Sequence, residues 1–563
     1  MKAADYIAHS LSHKGVTDVF GVPGGVILEL IYAFDRTQSI SPHLCYHEQS
    51  AGFAACGYAQ SGGTMGVAYA TRGPGFTNLL TPIADAWYDS IPVLFLTAHA
   101  SIVMSSCGRT LADQEMDTCQ IVSPITKYAA RIDDVNQLAP VFHEACRQAV
   151  SGRKGPVFLD IAKSVLSSEL PESISPSDSL SCPTPSVKSP SELAGRIAQA
   201  IREARHPVIL AGDGINISHS QNDFRQFALQ AGIPILSSRS SHNVGITSGL
   251  YFGYMGSHGI RYAHFVLSKA DTVIVLGNRL SFPDNSSSFG PVFRSKRCIW
   301  IDIDSTEFLR HPSITEIHVA DLSVLLKELS QYSHHSFGNH TEWLNQCYTI
   351  RQLLQAHDTS PTVLLISQLL SQIPSDSTIV SDVGNNEFMV SRACVLSNAS
   401  HRVLYSKSFG TLGNALGKAI GSFYTTKQPV VVFIGDQGLQ FNVQELQYIS
   451  QHHLPITIFV INNRASAMIR DREEVIGYPY HLHTTENSGY RVPSLQAIAE
   501  SYCIAFTDIH SFLSLGYPSA TPVMVEIISP SEERLLPFLP AGHSILQMEP
   551  QLDDSLINQL EQL

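Results

Sequence analysis

Apolar residues occur along this 563-residue chain in two kinds of run: short blocks rich in Val, Ile and Leu, and longer stretches with helical spacing. The blocks MGVAY at 65–69, VLFLT at 93–97 and VVVFI at 430–434 lack the alternation of a half-exposed strand, so they predict strands buried on both faces. The N-terminal stretch, with Ile7 and Leu11 on one side, predicts an amphipathic helix. Strands and helices that alternate in this way are typical of α/β domains with doubly wound parallel sheets.

Two changes in composition divide the chain into three such segments. A Ser- and Pro-rich stretch covers residues 170–191, and a polar, His-rich stretch covers residues 330–340. We therefore predict three α/β domains, over residues 1–169, 190–330 and 355–563. The first and third segments have a similar layout and could be copies of one architecture.

Charge and cysteine usage narrow the class of protein. A formal net charge of -13 disfavours nonspecific binding to nucleic acid or to an anionic membrane, since both are negative themselves. No apolar run approaches the roughly 20 residues that cross a bilayer, and the 10 cysteines are scattered without CxxC pairs. We expect a cytoplasmic protein that acts on small molecules, with no nucleic-acid or membrane partner.

The strongest local motif lies at residues 430–463. The strand VVVFI turns through the sequence GDQG at 435–438, and the next predicted strand, ITIFV, ends at Asn462 and Asn463. The Asp436 carboxylate and the asparagine amide oxygen are hard ligands that suit magnesium, whose octahedron diphosphate oxygens can complete. Gly435 and Gly438 allow backbone N–H groups to approach phosphates. The alternative is that Asp436 only caps the following helix.

A GDG-type turn followed by an Asn pair resembles the signature of thiamine-diphosphate enzymes. The segments at 21–30, 47–59, 71–98 and 155–165 are, in order, similar to the pyrimidine-binding domain of the acetolactate synthase family. The resemblance implies a pyrimidine-binding domain over 1–169 and a diphosphate-binding domain over 355–563. It also implies thiamine diphosphate held through Mg²⁺ as cofactor.

The resemblance assigns catalytic roles to three residues. Glu48, in the HEQ motif, would bind N1′ of the aminopyrimidine and favour its imino tautomer. Leu412 would support the bent cofactor from below, and the Gly410 carbonyl would accept from the 4′-amino group. Taken without the resemblance, Glu48 fits a helix's first turn, where it stabilises the dipole, and Leu412 fits a core position at a Gly-rich helix start.

The other expected contacts follow the same motifs. Cofactor contacts are expected from Thr71, Pro74, Asn78, Asn385, Asn386, Gly435, Asp436, Gln437, Gly438, Asn463 and Met468, metal ligands from Asp436, Asn463 and Ala465, and substrate contacts from Gly25, Phe76, Gln114, Lys127 and Arg472. Because Glu48 and Asp436 lie in different domains, the resemblance implies a cofactor between two subunits of a homodimer or homotetramer.

The middle segment resembles the family's flavin-binding domain. The motifs are AGDG at 211–214, GYMGSHG at 253–259, LGNR at 276–279 and IDID at 301–304. They imply bound FAD with Arg279 as one contact. The alternative is a domain without flavin, in which Arg279 is a structural ion-pair partner, because the run after LGNR departs from the family's pattern.

The donor motifs match the family, whereas residues near the second substrate differ. Gln437 replaces a glycine, Phe76 a small residue and Arg472 a tryptophan, and Asp113 stands where an aromatic is expected. We hypothesise that pyruvate is the donor, and that the acceptor is either a second 2-oxo acid or a nucleotide-linked ketosugar, as in the related enzyme of yersiniose biosynthesis.

Alternative functions would require residues that differ from those of this sequence. A 2-oxo acid decarboxylase would carry a His pair after the first Gly-rich loop, which is missing, and a pyruvate oxidase-like enzyme would carry a redox relay. A non-enzymatic paralogue would have lost Glu48, Asp436 or Asn463, and all three are present.

Overall fold

The computed structural model describes residues 1–62, 64–100, 114–170, 189–246, 249–281, 286–516 and 520–563. These residues form three six-stranded sheets whose strand pairs are all parallel, with helices between successive strands. The predicted class, three α/β domains built on doubly wound parallel sheets, is confirmed.

The first sheet has the strand order β2-β1-β3-β4-β6-β5. Its strands are β1 (Asp18–Gly21), β2 (Ser41–Leu44), β3 (Gly66–Ala70), β4 (Val93–His99), β5 (Tyr128–Ile132) and β6 (Val157–Ala162). Its helices are α1 (Ala3–His13), α2 (Leu28–Thr37), α3 (Glu48–Gln60), α4 (Pro74–Asp89), α5 (Thr118–Val122), α6 (Val135–Val150) and α7 (Lys163–Ser167). Strands β3, β4 and β6 are buried throughout, as their unbroken apolar runs predict.

The central sheet has the order β12-β11-β10-β7-β8-β9, which is the order of dinucleotide-binding domains, with β7 and β10 at the point where the order reverses. Its strands are β7 (Pro207–Ala211), β8 (Ile235–Ser237), β9 (Tyr251–Tyr254), β10 (Thr272–Leu276), β11 (Arg297–Asp302) and β12 (Glu316–Val319). Its helices are α8 (Pro190–Glu203), α9 (Gly214–Ile217), α10 (Gln221–Ala231), α11 (His242–Ile246), α12 (Arg261–Lys269), α13 (Ser286–Arg294) and α14 (Leu322–Leu329).

The third sheet, β14-β13-β15-β16-β18-β17, repeats the order of the first sheet strand for strand, in keeping with two copies of one architecture. Its strands are β13 (Thr378–Ser381), β14 (Val403–Leu404), β15 (Val430–Gly435), β16 (Ile456–Asn462), β17 (Ala505–Asp508) and β18 (Val523–Ile528). The remaining helices are α15 (Thr341–Leu354), α16 (Pro361–Leu370), α17 (Asn385–Ser397), α18 (Asn414–Thr426), α19 (Asp436–Phe441), α20 (Glu445–Gln451), α21 (Ala467–Ile476), α22 (Leu495–Ser501), α23 (Ile509–Leu515) and α24 (Asp554–Glu561).

The end of the predicted third domain, residues 355–563, makes contacts outside its own sheet. The C-terminal tail packs on the central domain, where Leu539, Met548 and Leu560 join its hydrophobic core. Arg261, buried in α12, donates to the backbone carbonyl oxygens of Met548 at 3.1 Å and Pro550 at 2.9 Å. The apolar side chains of the tail pack against residues of the central domain, which come earlier in the chain. A local sequence pattern does not reveal such a contact.

The first and third domains meet where α3 crosses α18. A Cβ atom on Gly57 would lie 2.1 Å from the backbone oxygen of Lys418, and one on Gly421 would lie 1.8 Å from that of Ala54. Both positions therefore require glycine, since no side chain fits between the two backbones. Within the described residues, no helix combines the length and the apolar character needed to cross a membrane.

Candidate active site

The first group of predicted residues lies at the carboxyl edge of the first sheet. Glu48 begins α3 directly after β2, and its Oε2 accepts a hydrogen bond from Asn78 Nδ2 at 2.9 Å. A Cβ on Gly75, in the first turn of α4, would lie 3.2 Å from Glu48 Oε1. The first turns of two helices thus hold this carboxylate in place.

Other predicted residues lie at the same edge of the first sheet as Glu48. Thr71 follows β3 and lies so close to Gly24 that a Cβ there would be 2.3 Å from its side chain. Gln114 lies beside the backbone just before Pro74, where a Cβ on Gly73 would be 2.7 Å from its own Cβ. Gly25 is exposed, and a Cβ there would have no atom within 4 Å, so space is open at this edge. We call this group the pyrimidine half-site: Gly25, Glu48, Thr71, Pro74, Asn78 and Gln114.

Two predicted substrate residues do not join the pyrimidine half-site. Phe76 is fully buried and packs its ring edge-on against Phe158, with 5.4 Å between ring centroids, so it offers no surface to a ligand. Lys127 precedes β5 and therefore lies at the opposite, amino edge of the sheet, where its Nζ donates to the Ser151 carbonyl at 2.6 Å. Asp113 lies outside the described residues.

A second group of residues lies at the carboxyl edge of the third sheet. Asp436 is the first residue of α19 and Gly435 is its N-cap, so the interpretation of Asp436 as the cap residue is wrong. Asp436 Oδ1 accepts from the Gln437 N–H and the Tyr490 hydroxyl, both at 2.7 Å, and Oδ2 accepts from the Arg464 N–H at 2.9 Å. Burial raises the pKa of the Asp436 carboxyl.

The donors at this edge fit a magnesium ion that also binds phosphate. Asp436 contributes a carboxylate, Asn463 an amide oxygen and Ala465 a main-chain carbonyl, which are all oxygen ligands. Asn463 Oδ1 meanwhile accepts from the Ala465 N–H at 3.1 Å, which holds the turn. The described residues contain no cluster of three or more His, Cys, Asp or Glu side chains that could hold a metal. An ion here would have three protein oxygens and would take its remaining ligands from a bound phosphate or from water.

The Gly-rich turns of the third domain leave room for a ligand. Gly384 and Gly410 have φ angles of 125° and 73°, which favour glycine, and a Cβ on Gly410 would have no atom within 4 Å. Leu412 is half-buried and lies outside the hydrophobic core clusters, unlike an ordinary core leucine. Asn385 Nδ2 donates to Asp471 at 3.2 Å, whereas Asn386 Nδ2 turns inward to the Asp382 carbonyl at 2.6 Å.

Asp382, which the sequence analysis did not single out, joins these turns. It is fully buried at the end of β13 and accepts from the Gly413 N–H at 2.9 Å and from Asn414 Nδ2 at 2.8 Å. A Cβ on Gly438 would lie 2.2 Å from the same carboxylate. Burial raises the pKa of Asp382 to about 7. The only sequence signal was its place at a strand end in TIVSD. We call the whole group the diphosphate half-site: Asp382, Gly384, Asn385, Gly410, Leu412, Asp436, Asn463 and Ala465.

A cavity of about 1100 Å³ follows the carboxyl edge of the central sheet. Residues that follow each of the six strands line the cavity. All four motifs of the middle segment contribute to the lining, through Gly214, Gly256, Asn278, Arg279 and Ile303. Arg239 and Asp321, which follow β8 and β12, also line it. Ligand sites usually measure about 300–1,000 Å³, and dinucleotides bind at this edge of such sheets. Arg279 lines the cavity and also pairs with Glu307, with 3.0 Å between Nε and Oε1, so its position fits both of its predicted roles.

The cavity extends to the diphosphate half-site. Asn385, Gly410 and Met468 line its far end, as does one face of α21 that carries Arg472. The Arg472 side chain is exposed, and its guanidinium makes no ion pair within the described parts of the chain. The Arg472 guanidinium can therefore contact an anionic or polar ligand in this part of the cavity.

Two half-sites on equivalent sheets, next to a dinucleotide-type cavity, define a three-domain α/β enzyme that works through bound cofactors. Comparison with protein families specifies the class. Residues 1–121 match the N-terminal TPP binding domain of thiamine pyrophosphate enzymes, residues 194–329 the central domain and residues 382–515 the C-terminal TPP binding domain. The chain belongs to the thiamine pyrophosphate enzyme family and is a thiamine-pyrophosphate-dependent enzyme.

Curated relatives cover nearly the whole chain. The chain is 32% identical to the acetolactate synthase large subunit of Lactococcus lactis, over 95% of this chain and 94% of the relative. It is 30% identical to acetolactate synthase 1, chloroplastic, of Zea mays, over 97% and 88%, and 28% identical to the acetolactate synthase isozyme 2 large subunit of Escherichia coli, over 97% and 99%. The resemblance to the acetolactate synthase family is confirmed.

Proposed function

We propose that the protein is a magnesium-dependent carboligase that decarboxylates pyruvate and transfers the two-carbon unit to a second 2-oxo acid. The observation that carries this proposal is the pair of half-sites, one with the Glu48 carboxylate at the edge of the first sheet and one with Asp436 at the edge of the third sheet. The acetolactate synthases among the relatives support the choice of substrates.

The residues of the half-sites would orient and protonate the cofactor. When bound, thiamine pyrophosphate supplies the nucleophilic carbon that adds to the keto group of pyruvate. Glu48, held by Asn78, would share a proton with N1′. The Gly410 carbonyl would accept from the 4′-amino group, and Leu412 would keep the cofactor bent. Contacts of this kind would orient the reacting groups toward each other.

Asp436, Asn463 and the Ala465 carbonyl would hold Mg²⁺ on the diphosphate oxygens. In the cavity of the central domain we propose FAD, since the strand-end motifs and the strand order fit a dinucleotide. Asp302 and Asp321 lie at one end of this cavity and suit ribose hydroxyls, whereas the other end adjoins the diphosphate half-site.

A homodimer is the smallest assembly that we propose for activity. The 16-residue helix α4 is about 24 Å long. Near its start, Asn78 donates a hydrogen bond to Glu48, and its last residue, Asp89, accepts hydrogen bonds from the backbone that leads to Gly410. Glu48 and Gly410 of one chain therefore lie towards opposite ends of this helix, which favours a second copy as the source of the Glu48 that faces each cofactor.

A nucleotide-linked ketosugar is the second candidate acceptor. Arg472 favours it: the side chain is exposed, makes no ion pair with another described residue, and replaces the family's tryptophan at a position that lines the cavity. A guanidinium suits phosphate or polyhydroxyl groups.

Incubation with pyruvate, thiamine pyrophosphate and Mg²⁺ but no other acceptor tests the proposal. We expect acetolactate as the main product, detected by mass spectrometry. Release of CO₂ with acetaldehyde or acetate alone would contradict the carboligase assignment. Product formation only after a ketosugar is added would favour the second candidate.

A further inference from the structure

The loop that carries Gly410 is anchored by the first domain of its own chain. Ser406 Oγ accepts a hydrogen bond from the Thr411 N–H at 2.9 Å and donates one to the carboxylate of Asp85, on α4. Ser406 and Asp85 are 1% and 0% exposed, so water does not replace these bonds. A single hydroxyl thus links α4 to the residue that follows Gly410.

A buried cation completes this anchor. Asp85 Oδ2 lies 2.9 Å from Lys418 Nζ, and both side chains are fully buried. Lys418 Nζ also donates to the Tyr405 carbonyl at 2.9 Å, just before Ser406. Burial lowers the pKa of Lys418, but the neighbouring Asp85 and Asp89 outweigh this effect and raise it. The Lys418 ammonium group therefore holds Asp85 against the start of the loop.

The last residue of α4 holds the same loop at a second point. Asp89 Oδ2 accepts from the Lys407 N–H at 2.7 Å, and Oδ1 accepts from the Ser408 N–H at 3.1 Å. Together with the Ser406 contact, two carboxylates one helical turn apart fix the backbone from residue 406 to 411.

We infer that Asp85, acting through Ser406, is a positioning residue for the Gly410 carbonyl of its own chain, while Glu48 of the same domain serves the cofactor bound by the partner. This inference rests on the proposed function and its dimer. Each first domain then acts on both cofactors: on one through its Glu48, and on the other through the loop that α4 holds.

Removal of the hydroxyl at position 406 tests the anchor directly. Ser406→Ala leaves the Thr411 N–H and one Asp85 oxygen without their partner in a buried place, so we expect the loop to shift. Thiamine pyrophosphate should bind about tenfold more weakly in isothermal titration, and the near-ultraviolet circular dichroism that the cofactor induces should change.

Ser422→Ala is the matched control. Like Ser406, Ser422 is buried. It lies on α18 and accepts a hydrogen bond of 2.8 Å from the Ser61 hydroxyl of the first domain, but it does not contact the loop. We expect a similar fall in melting temperature and unchanged cofactor affinity. Equal cofactor affinities of the two variants and the wild type would overturn the inference.

Mixed dimers test which cofactor Asp85 serves. In the trans arrangement, one chain carries Glu48→Gln and the other Asp85→Asn. In the cis arrangement, one chain carries both substitutions and the other is wild type. If Asp85 acts on the loop of its own chain and Glu48 on the partner's cofactor, the trans dimer keeps one intact site and about half of the wild-type activity. In the cis dimer both sites are impaired, so its activity is lower than that of the trans dimer.

The opposite pattern, an active cis dimer and an inactive trans dimer, would overturn the inference and the exchange of Glu48 between subunits, while leaving the carboligase assignment in place. A wild-type protein that neither binds thiamine pyrophosphate nor decarboxylates pyruvate would overturn both. Differently tagged chains allow each mixed dimer to be purified before cofactor binding and activity are measured.

Discussion

The hydroxyl of Tyr490 donates a hydrogen bond of 2.7 Å to Oδ1 of Asp436, from a loop 54 residues further along the chain. The same oxygen accepts from the Gln437 N–H, and a carboxylate oxygen has two lone pairs. A magnesium ion that takes this oxygen must therefore displace one of the two donors, and the tyrosine hydroxyl is the one that can move away.

Replacement of Tyr490 should change magnesium affinity. In Tyr490→Phe one lone pair of Asp436 Oδ1 is already free, so we expect Mg²⁺ to bind about tenfold more tightly in the presence of thiamine pyrophosphate. Titration of enzyme activity and of cofactor binding with Mg²⁺ measures this. Tyr480→Phe, at an exposed tyrosine, is the control. Weaker binding in Tyr490→Phe would mean that the tyrosine orients Asp436 in the metal-bound state.

Replacement of Glu48 should remove proton transfer while keeping the cofactor. Glu48→Gln is isosteric and keeps an oxygen for Asn78, so we expect the affinity for thiamine pyrophosphate to change by less than about threefold. The rate of pyruvate decarboxylation should fall by about 10²–10⁴. Glu144→Gln, on α6 and paired only locally with Arg147 and Gln148, serves as control. Turnover that stays at the wild-type rate in Glu48→Gln would contradict the assigned role.

The stability of the protein should depend on Glu445 and on pH. Glu445 is fully buried at the start of α20, where it accepts from the Tyr46 N–H of the first domain, and burial raises its pKa from 4.5 to about 7. The folded state therefore binds more protons than the unfolded state between pH 4.5 and about 7, so this residue's contribution is complete below pH 4.5 and is lost as the pH rises through that window.

Glu445→Gln has no such proton. We expect the free energy of unfolding of Glu445→Gln, relative to that of the wild type, to increase from pH 5 to pH 8 by up to about 3 kcal/mol. Urea unfolding of both proteins at these two pH values measures the difference. A difference that is the same at both pH values would show that Glu445 is ionised throughout.

Flavin binding should depend on Arg279. Its guanidinium lines the cavity beside Glu307, and we expect Arg279→Gln to weaken FAD binding about tenfold. Flavin absorbance of the purified protein and titration of the stripped protein with FAD measure this. Arg196→Gln, at an exposed arginine paired with Glu316, is the control. Full flavin content together with a lower melting temperature would instead favour the structural ion pair.

Arg472 should affect the acceptor and leave the donor unchanged. We expect Arg472→Ala to raise the KM for the acceptor about tenfold, because a charge that meets its carboxylate or phosphate is lost. The single-turnover rate of pyruvate decarboxylation should stay the same. Arg491→Ala, at a position outside the cavity lining, is the control. If Arg472→Ala lowered the rate of pyruvate decarboxylation as much as the rate of acceptor transfer, Arg472 would belong to the donor site.

The local features of this chain follow from its sequence. Unbroken apolar runs predict buried strands such as β3, β4 and β15, because side chains on both faces of these strands must leave water. Asp436 and Asn463 end neighbouring runs, so a parallel sheet necessarily brings them to one edge. The first turns of α3 and α4 hold Glu48 for the same reason, since both follow strands of one sheet.

Other features were decided only by the tertiary structure. The burial of Phe76 against Phe158, the tail of the chain on the central core, and the bonds from Tyr490 to Asp436 and from Asp85 to Ser406 have no local pattern. Asp85 and Ser406 are separated by 321 residues. Sequence preferences act over a few residues, whereas such contacts depend on how whole domains pack, and that packing is the sum of many distant and individually weak interactions.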